Sequence, residues 1–497
     1  MDKRIFKEIM MKILNKNTFI LIVLSTLVLS CDDILDENPD SSIGADQFWQ
    51  TVGDAEIGVA AIYDGMQTTY SSKYFLWGEM RSDNFQLSGS ANAEAVQLVE
   101  NSLSDQNDEV SNWDDFYNMI HRANTAIEQI PNITGEVGPL LGEAHAIRAY
   151  AYFDAVRVWG SVPLYTEPVT GLDDDIFRPK TAGTTIMNDV VIPDMIRAEE
   201  LIVTRISRSR FSLSSVYCLQ AEVYMHVGEY ALAKEALDKL ESLGEFELVD
   251  DAPSFHELFR NEPEEDGEQG PELILSIVYN FDQDGGASGI YGLFWAGVPS
   301  YFISQSLEEK WQSTFPTDSV SWFTKYPDFV PTTVDEGDGS IIYGDYHRYV
   351  QLFEEDKEIG GRRYGKYNLT NYAPNTDDTD IVLYRYAGML LLKAEAEVQL
   401  GNFEEAVTLV NRIRNARELP GITLADFQTK DELLDVILDE RQFELIGEGK
   451  RWWDLIRNNK AVEVMAPING QTASTLLFPI YFDHLVDNPN LSQTPGY

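Results

Sequence analysis

Two stretches of this chain repeat one another at a fixed offset, and that repeat narrows the possible folds more than any other feature. Leu219-Gln220-Ala221-Glu222 leads to Gly228, Tyr230 and Ala233, and Leu392-Lys393-Ala394-Glu395 leads to Gly401, Phe403 and Ala406, each position 173 residues further on. A small residue at a helix crossing, a glycine closing the helix, an aromatic two residues later and an alanine three after that describe two antiparallel helices joined by a tight turn. Gly228 and Gly401 fall at the turns.

The helical period continues outside the repeat. Phe116, Tyr117, Ile120, Ala123, Ile127 and Ile130 draw one apolar stripe on a helix that begins near Trp113 and ends at Pro131. Gly142 to Trp159 forms the next, with Ala144, Ile147, Ala151, Ala155 and Val158 on one side. A further helix opens at Thr429, with Glu432 placed for a capping box, and runs to Gly447. The unit is the tetratricopeptide pattern, and two copies so far apart predict a mainly α, helical-hairpin scaffold rather than a regular solenoid. Between Glu245 and Asp380 the pattern gives way to Gly, Pro, Asp and short aromatic-rich segments, a long loop-rich, partly β insertion. The expected body is 45–497, with scaffold at about 45–244 and 381–497 and a binding insertion at about 245–380, since long loops on a rigid frame commonly carry binding surfaces.

The N-terminus reads as an export signal over 1–30. Lys3, Arg4, Lys7, Lys12 and Lys16 precede the apolar run Phe19 to Leu29. At about 1.5 Å per residue that run spans about 16 Å, half the hydrocarbon core of a bilayer, too short to cross it. Ser30 is small, as cleavage requires, and Cys31 is the expected lipidation site, carrying palmitate-type acyl chains. Asp32, Asp33, Asp36 and Glu37 make 31–44 an acidic tether. With Cys31 lipidated, Cys218 has no disulfide partner and is expected to be a small buried hydrophobe. The balance of 82 acidic against 37 basic residues, net −45, argues against nucleic acid and against broad contact with anionic lipid headgroups.

No motif for catalysis, metal or cofactor is complete. His256-Glu257 begins like a zinc-peptidase helix, but Arg260 stands where the second histidine belongs. Gly286-Ala287-Ser288-Gly289 has the wrong spacing for a nucleophile elbow. Asn280, Asp282, Asp284 and Gly285 match the first half of a calcium loop, whose twelfth position is Tyr291 rather than a bidentate glutamate. A glycosidase carboxylate pair stays open, because its separation is a three-dimensional quantity. Binding is the remaining reading. Aromatic faces stack on the apolar C–H face of a sugar while Asp, Asn and Arg groups bond its hydroxyls. Both ingredients occur at Trp77, Arg81, Asp83, Asn84 and Phe85, leading into the polar loop Ser88 to Ala93. They occur again in the insertion, with Tyr291, Phe294, Trp295, Tyr301, Trp311, Trp322, Tyr326, Tyr343 and Tyr346. From these the expected ligand residues are Trp77, Arg81, Asp83, Asn84, Phe85, Trp295, Tyr301 and Trp322. Trp295, flanked by Gly292 and Gly297, is the best exposed candidate, and Trp311, at helical spacing from Leu307, is expected in the core.

Several blocks carry a family resemblance. Glu143-Ala144, Arg148-Ala149-Tyr150, Tyr152-Phe153, Gly160 and Val162-Pro163-Leu164 form the first; Glu440-Arg441, Glu444-Leu445, Glu448-Gly449, Arg451-Trp452 and Asp454-Leu455 the second. Pro479 and the ending Asn488-Pro489-Asn490-Leu491, Gln493, Pro495-Gly496-Tyr497 complete it. The chain resembles the SusD/RagB family of surface lipoproteins over nearly its whole length. The resemblance implies a glycan- or oligosaccharide-binding protein on the outer face of the outer membrane. It also implies a SusC-like, TonB-dependent channel as partner, with no bonds made or broken. A peptide-binding lid and a surface glycan hydrolase stand as alternatives. Read from the residues alone, Glu440, Arg441, Glu444, Glu448 and Arg451 form a partly buried ionic network beneath Trp452 and Trp453 that fixes the last helices.

Overall fold

The computed structural model describes residues 48–171, 176–259, 270–280, 288–295, 297–317, 324, 344–345, 347–348, 355–356, 361–367 and 378–497. The export signal, Cys31, the acidic tether, the body of the calcium-like loop and the aromatics Trp322, Tyr326, Tyr343 and Tyr346 lie outside them.

The scaffold is a succession of packed helices. It runs from α1 (Val52–Tyr70) through α2 (Asp114–Gln129), α3 (Gly138–Trp159), α4 (Ile192–Leu201), α5 (Leu213–Val227) and α6 (Tyr230–Ser242). α7 (Tyr386–Leu400), α8 (Phe403–Ala416), α9 (Lys430–Leu445) and α10 (Arg451–Arg457) complete it. The stripe of α2 is buried as its spacing requires, with Phe116, Ile120 and Ala123 in the core. The glycines of the repeat do what their position demands: Gly228 and Gly401 close α5 and α7 at φ +81° and +85°, a conformation costly for any residue with a Cβ. α6 packs directly on α7, so the two hairpins are neighbours in space and the insertion between them is looped out of the stack. Lys393 on α7 fastens that seam by pairing with Asp238 at 2.6 Å and with Glu241 of α6. Cys218 is fully buried.

Two helices depart from expectation at their ends. α3 begins at Gly138, a turn before Gly142. At α9 the Thr429 hydroxyl accepts from the Glu432 N–H, but the Glu432 carboxylate bonds the N–H of Gln428 at 2.6 Å rather than that of Thr429, and the helix ends at Leu445.

Among the described residues, strands occur in antiparallel pairs. β1 (Phe85–Leu87) pairs with β5 (Tyr301–Ile303) and β2 (Ser161–Pro163) with β3 (Lys180–Ala182). β4 (Leu273–Ile277) pairs with β8 (Ile381–Arg385), and β6 (Glu355–Asp356) with β7 (Gly361–Arg362).

A fully buried ionic network binds insertion to scaffold. Arg385, at the end of β8, donates to Glu272 and Glu444 at 2.7 Å each and to Glu448 at 2.7 Å. Arg417, after α8, reaches the same Glu272 and Glu444 at 2.7 and 2.8 Å. From the insertion, Arg348 bonds Glu440 at 2.6 Å and Lys366 bonds Glu448 at 2.5 Å. Phe255 and Phe259 lie over the guanidinium groups of Arg417 and Arg385, shielding them from water. The expected network therefore exists with different cations. Arg441 instead holds Asp454 at 2.8 Å and Arg451 holds Asp83 at 2.8 Å, because both project from α9 and α10 away from the Glu444 cluster. Paired burial of this kind is a poor source of stability but a strong constraint on arrangement, since a displaced partner leaves a charge in a dry interior.

Candidate functional site

The two regions expected to bind ligand are stitched together by backbone. β1 carries the N-terminal region and β5 the insertion, in the register Phe85 with Ile303 and Leu87 with Tyr301. The pairing extends at both ends: Ser88 N–H donates to the Ser300 carbonyl at 2.9 Å, and Ser304 N–H to that of Asn84 at 2.9 Å. Gly289 N–H donates to the Ser71 carbonyl, and a Cβ on Gly289 would lie 2.7 Å from that oxygen, so only glycine permits the approach.

Between these strands, the short helix Lys73–Gly78 and the turn before α2 lies a cleft of about 480 Å³. Its walls carry amides and carboxylates: Asn92, Asp108, Glu109, Asn112 and Asp115, with Lys73 and Tyr301. Asn92 is positioned as the N-cap of helix Ala93–Val99, its side chain accepting from the Ala95 N–H at 2.8 Å. Its amide also donates to Glu109 at 3.3 Å. Burial raises the Glu109 pKa and the neighbouring Glu94 adds to the rise. Burial lowers the Lys73 pKa, against Asp115 and Asp108, and its ammonium donates to the Asn112 carbonyl at 3.0 Å. Tyr301 is the feature out of balance. Its ring is buried, its pKa is driven up by burial and by Glu109 and Glu94, and its hydroxyl has no hydrogen-bond partner among the described residues.

The groups on its walls can bond a polyhydroxylated ligand. A sequence model of the SusD family matches residues 304–472, and a second model, described as starch-binding associating with outer membrane, matches residues 33–225. SusD-like protein P38 of Formosa agariphila is 44% identical over 496 residues, covering 97% of this chain and 98% of that protein. The chain belongs to the SusD family. Solved SusD-like structures share its fold. NanU of B. fragilis superposes with TM-score 0.70 at 22% identity, covering 93% of this chain and 99% of its own. A laminarin-binding SusD-like protein gives 0.69 at 20% identity, covering 90% and 100%. The tetratricopeptide-like reading of the fold is thereby established for this SusD family member.

Most of the individual residues expected at the ligand turn inward. Trp77 is 2% exposed, donates its indole N–H to the Val110 carbonyl at 3.0 Å, and is ringed edge-on by Tyr70, Phe116 and Trp159. Arg81 is buried on Trp452 and Phe478 and donates to the carbonyls of Thr475, Leu476 and Leu477, locking the C-terminal segment in place. Burial brings its pKa down to about 10. Asn84 bonds Glu79 and Gln442, and Phe85 packs on Phe294 and Tyr364. Burial would raise the Asp83 pKa, but Arg451 outweighs it and holds the carboxyl below its usual range. These five form the strut under the cleft: Arg81, Asp83 and Asn84 are held by Trp452, Arg451 and Gln442 of α10 and α9, and the chain is not exposed until Gly89. A ligand reaches none of the ring faces among them.

Tyr301 lines the cleft but is buried, so it offers no open stacking face. Trp295 is half-buried beneath Arg363, whose guanidinium lies 5.7 Å from its ring and donates to its carbonyl. Trp311 is in the core, as expected, its indole donating to Asp345 at 3.0 Å. Sequence reasoning passed over Lys73, Asp108, Glu109, Asn112 and Asp115. The density of Asp and Asn just ahead of the α2 stripe was the available signal.

Proposed function

We propose that this protein is an outer-membrane lipoprotein that captures a glycan or oligosaccharide in the cleft between the Ser88–Ala93 loop and the Gly289–Tyr301 segment. It passes the ligand, uncut, to a SusC-like, TonB-dependent channel. The unpaired Tyr301 hydroxyl carries the reading. A buried polar atom left without a partner costs about 1–3 kcal/mol, and a ligand hydroxyl in the cleft relieves that cost. The amides of Asn92 and Asn112 and the carboxylates around them supply further bonds of the kind sugars use. The family description, starch-binding with outer-membrane association, supports the same ligand class, and one SusD-like protein of this fold is described as laminarin-binding. Lipid on Cys31 is the anchor and 31–44 the tether. No helix among the described residues is long and apolar enough to cross a membrane.

Isothermal titration against a panel of defined oligosaccharides and peptides tests the site. A glycan that binds the wild type is expected to bind Tyr301→Phe about 5–10-fold more weakly, the worth of one hydrogen bond, while the unliganded variant unfolds at the same or a higher temperature because the partnerless hydroxyl is gone. Trp295→Ala tests whether that half-buried ring contributes. Equal affinity in Tyr301→Phe removes the site, and peptide binding without glycan binding replaces the ligand class. Mass spectrometry of the incubated glycans is expected to find no new chain ends, and multiple-turnover release would make the protein a hydrolase.

A further inference from the structure

On the other side of the start of α2 lies a second cavity, of about 520 Å³, that shares no lining residue with the first. Its walls are aromatic. Tyr117 and Tyr165 meet edge to face at 5.7 Å, Phe177 stands 46% exposed beside them, and Trp113 stacks on His484 at 5.0 Å and 11°.

Its charge is of one sign. Asp114, Glu167 and Asp487 line it, and among the described residues no lysine or arginine does. Glu167 and Asp487 pair with no cation among the described residues, and Asp114 is within 3.8 Å of His484 alone. His484 does not supply the missing charge. Its Nε2 accepts the Trp113 N–H at 3.1 Å, which requires that nitrogen to be unprotonated, and burial lowers its pKa further. Of the nearby arginines, Arg148 is paired to the Asp194 carboxylate at 2.7 and 2.9 Å and also donates to the Thr166 carbonyl, and Arg178 lies over the Tyr165 ring and donates to the Leu164 carbonyl.

The cavity is also fixed before any ligand arrives. Asn124 holds the Tyr165 carbonyl at 2.9 Å, Tyr117 that of Pro163 at 2.7 Å, and Asn490 that of Phe177 at 2.6 Å. These bonds keep the half-exposed side chains of Ile176 and Phe177 in water, where a free loop would fold them away. Rigid aromatic walls with unpaired carboxylates at the rim are complementary to a cation on an apolar stem, because ring faces and carboxylates then share one positive charge.

We infer that this cavity is a binding site for an organic cation, an ammonium or guanidinium on a short apolar stem, separate from the glycan cleft. N-acetyl-arginine amide and its neutral counterpart N-acetyl-citrulline amide test it on the full chain at physiological ionic strength. Arginine amide is expected to bind at least about tenfold more tightly. The preference is expected to vanish in the double variant Glu167→Gln with Asp487→Asn and to persist in Glu404→Gln with Glu405→Gln, which removes two exposed charges elsewhere. Glycan affinity is expected to be unchanged in both, so failure here and failure of the glycan reading are told apart. Equal affinity for the two amides, no saturable binding, or equal loss in the two double variants overturns the inference.

Discussion

At Glu444 burial alone would raise the pKa, but Arg417, Arg385 and Arg348 outweigh it and hold the carboxyl far below its usual range. Glu448 and Asp454 are held down in the same way, by Arg385 with Lys366 and by Arg441 with Arg457. A depressed native pKa contributes stability that is present above the unfolded value of about 4.5 and is lost as pH falls below it. Glu79 works in the opposite sense. Burial raises it to about 7, against donation from Asn84, Gly447 and Lys450, so its contribution declines as pH rises from about 4.5 to 7. Urea midpoints across pH are therefore expected to fall steeply below about 4.5, and Glu79→Gln is expected to flatten the slope between about 4.5 and 7. Glu444→Gln leaves two arginines short of a buried partner and is expected to cost about 3–5 kcal/mol, read from the same urea curves at neutral pH.

Among the elements, the glycines separate two kinds of constraint. Gly228 and Gly401 need only their positive φ, since a Cβ at either meets open space. Gly228→Ala is expected to cost about 1 kcal/mol. Gly78 ends the helix beneath the cleft, where a Cβ would stand 2.0 Å from the Gly449 carbonyl oxygen. That neighbour is backbone of the turn joining α9 to α10 and cannot rotate aside. Gly78→Ala is expected to cost about 3 kcal/mol or more, and equal midpoint shifts for the two variants would show that the turn can yield.

For the whole molecule, a net charge of −45 sets a general self-repulsion on top of the buried pairs. The two respond differently to salt. Raising ionic strength from about 0.01 to 0.15 M shortens the screening length from about 30 to 8 Å, which weakens surface repulsion and hardly touches pairs that water does not reach. The unfolding temperature is therefore expected to rise over that range, and a fall would mean that exposed ion pairs dominate.

The sequence alone determined what depends on neighbours a few residues apart. The stripe from Phe116 to Ile130, the glycine turns at 228 and 401, the burial of Cys218 and Trp311 and the mainly α scaffold all follow from the 3.6-residue period and from the backbone freedom of glycine. Tertiary structure alone decided which side of a segment faces water. Trp77, Arg81, Asn84 and Phe85 have the composition of a sugar site, yet all four are buried, Arg81 and Asn84 against Trp452 and Gln442 more than 340 positions later, and Phe85 against Phe294 and Tyr364 of the insertion. The partners of Glu444 proved to be Arg385 and Arg417 rather than the nearer Arg441. The Tyr301 hydroxyl became notable only once β5 had paired with β1 and left it buried at the cleft without a partner among the described residues. Spacing along the chain encodes the period of an element, whereas exposure is set by whatever distant surface packs against it.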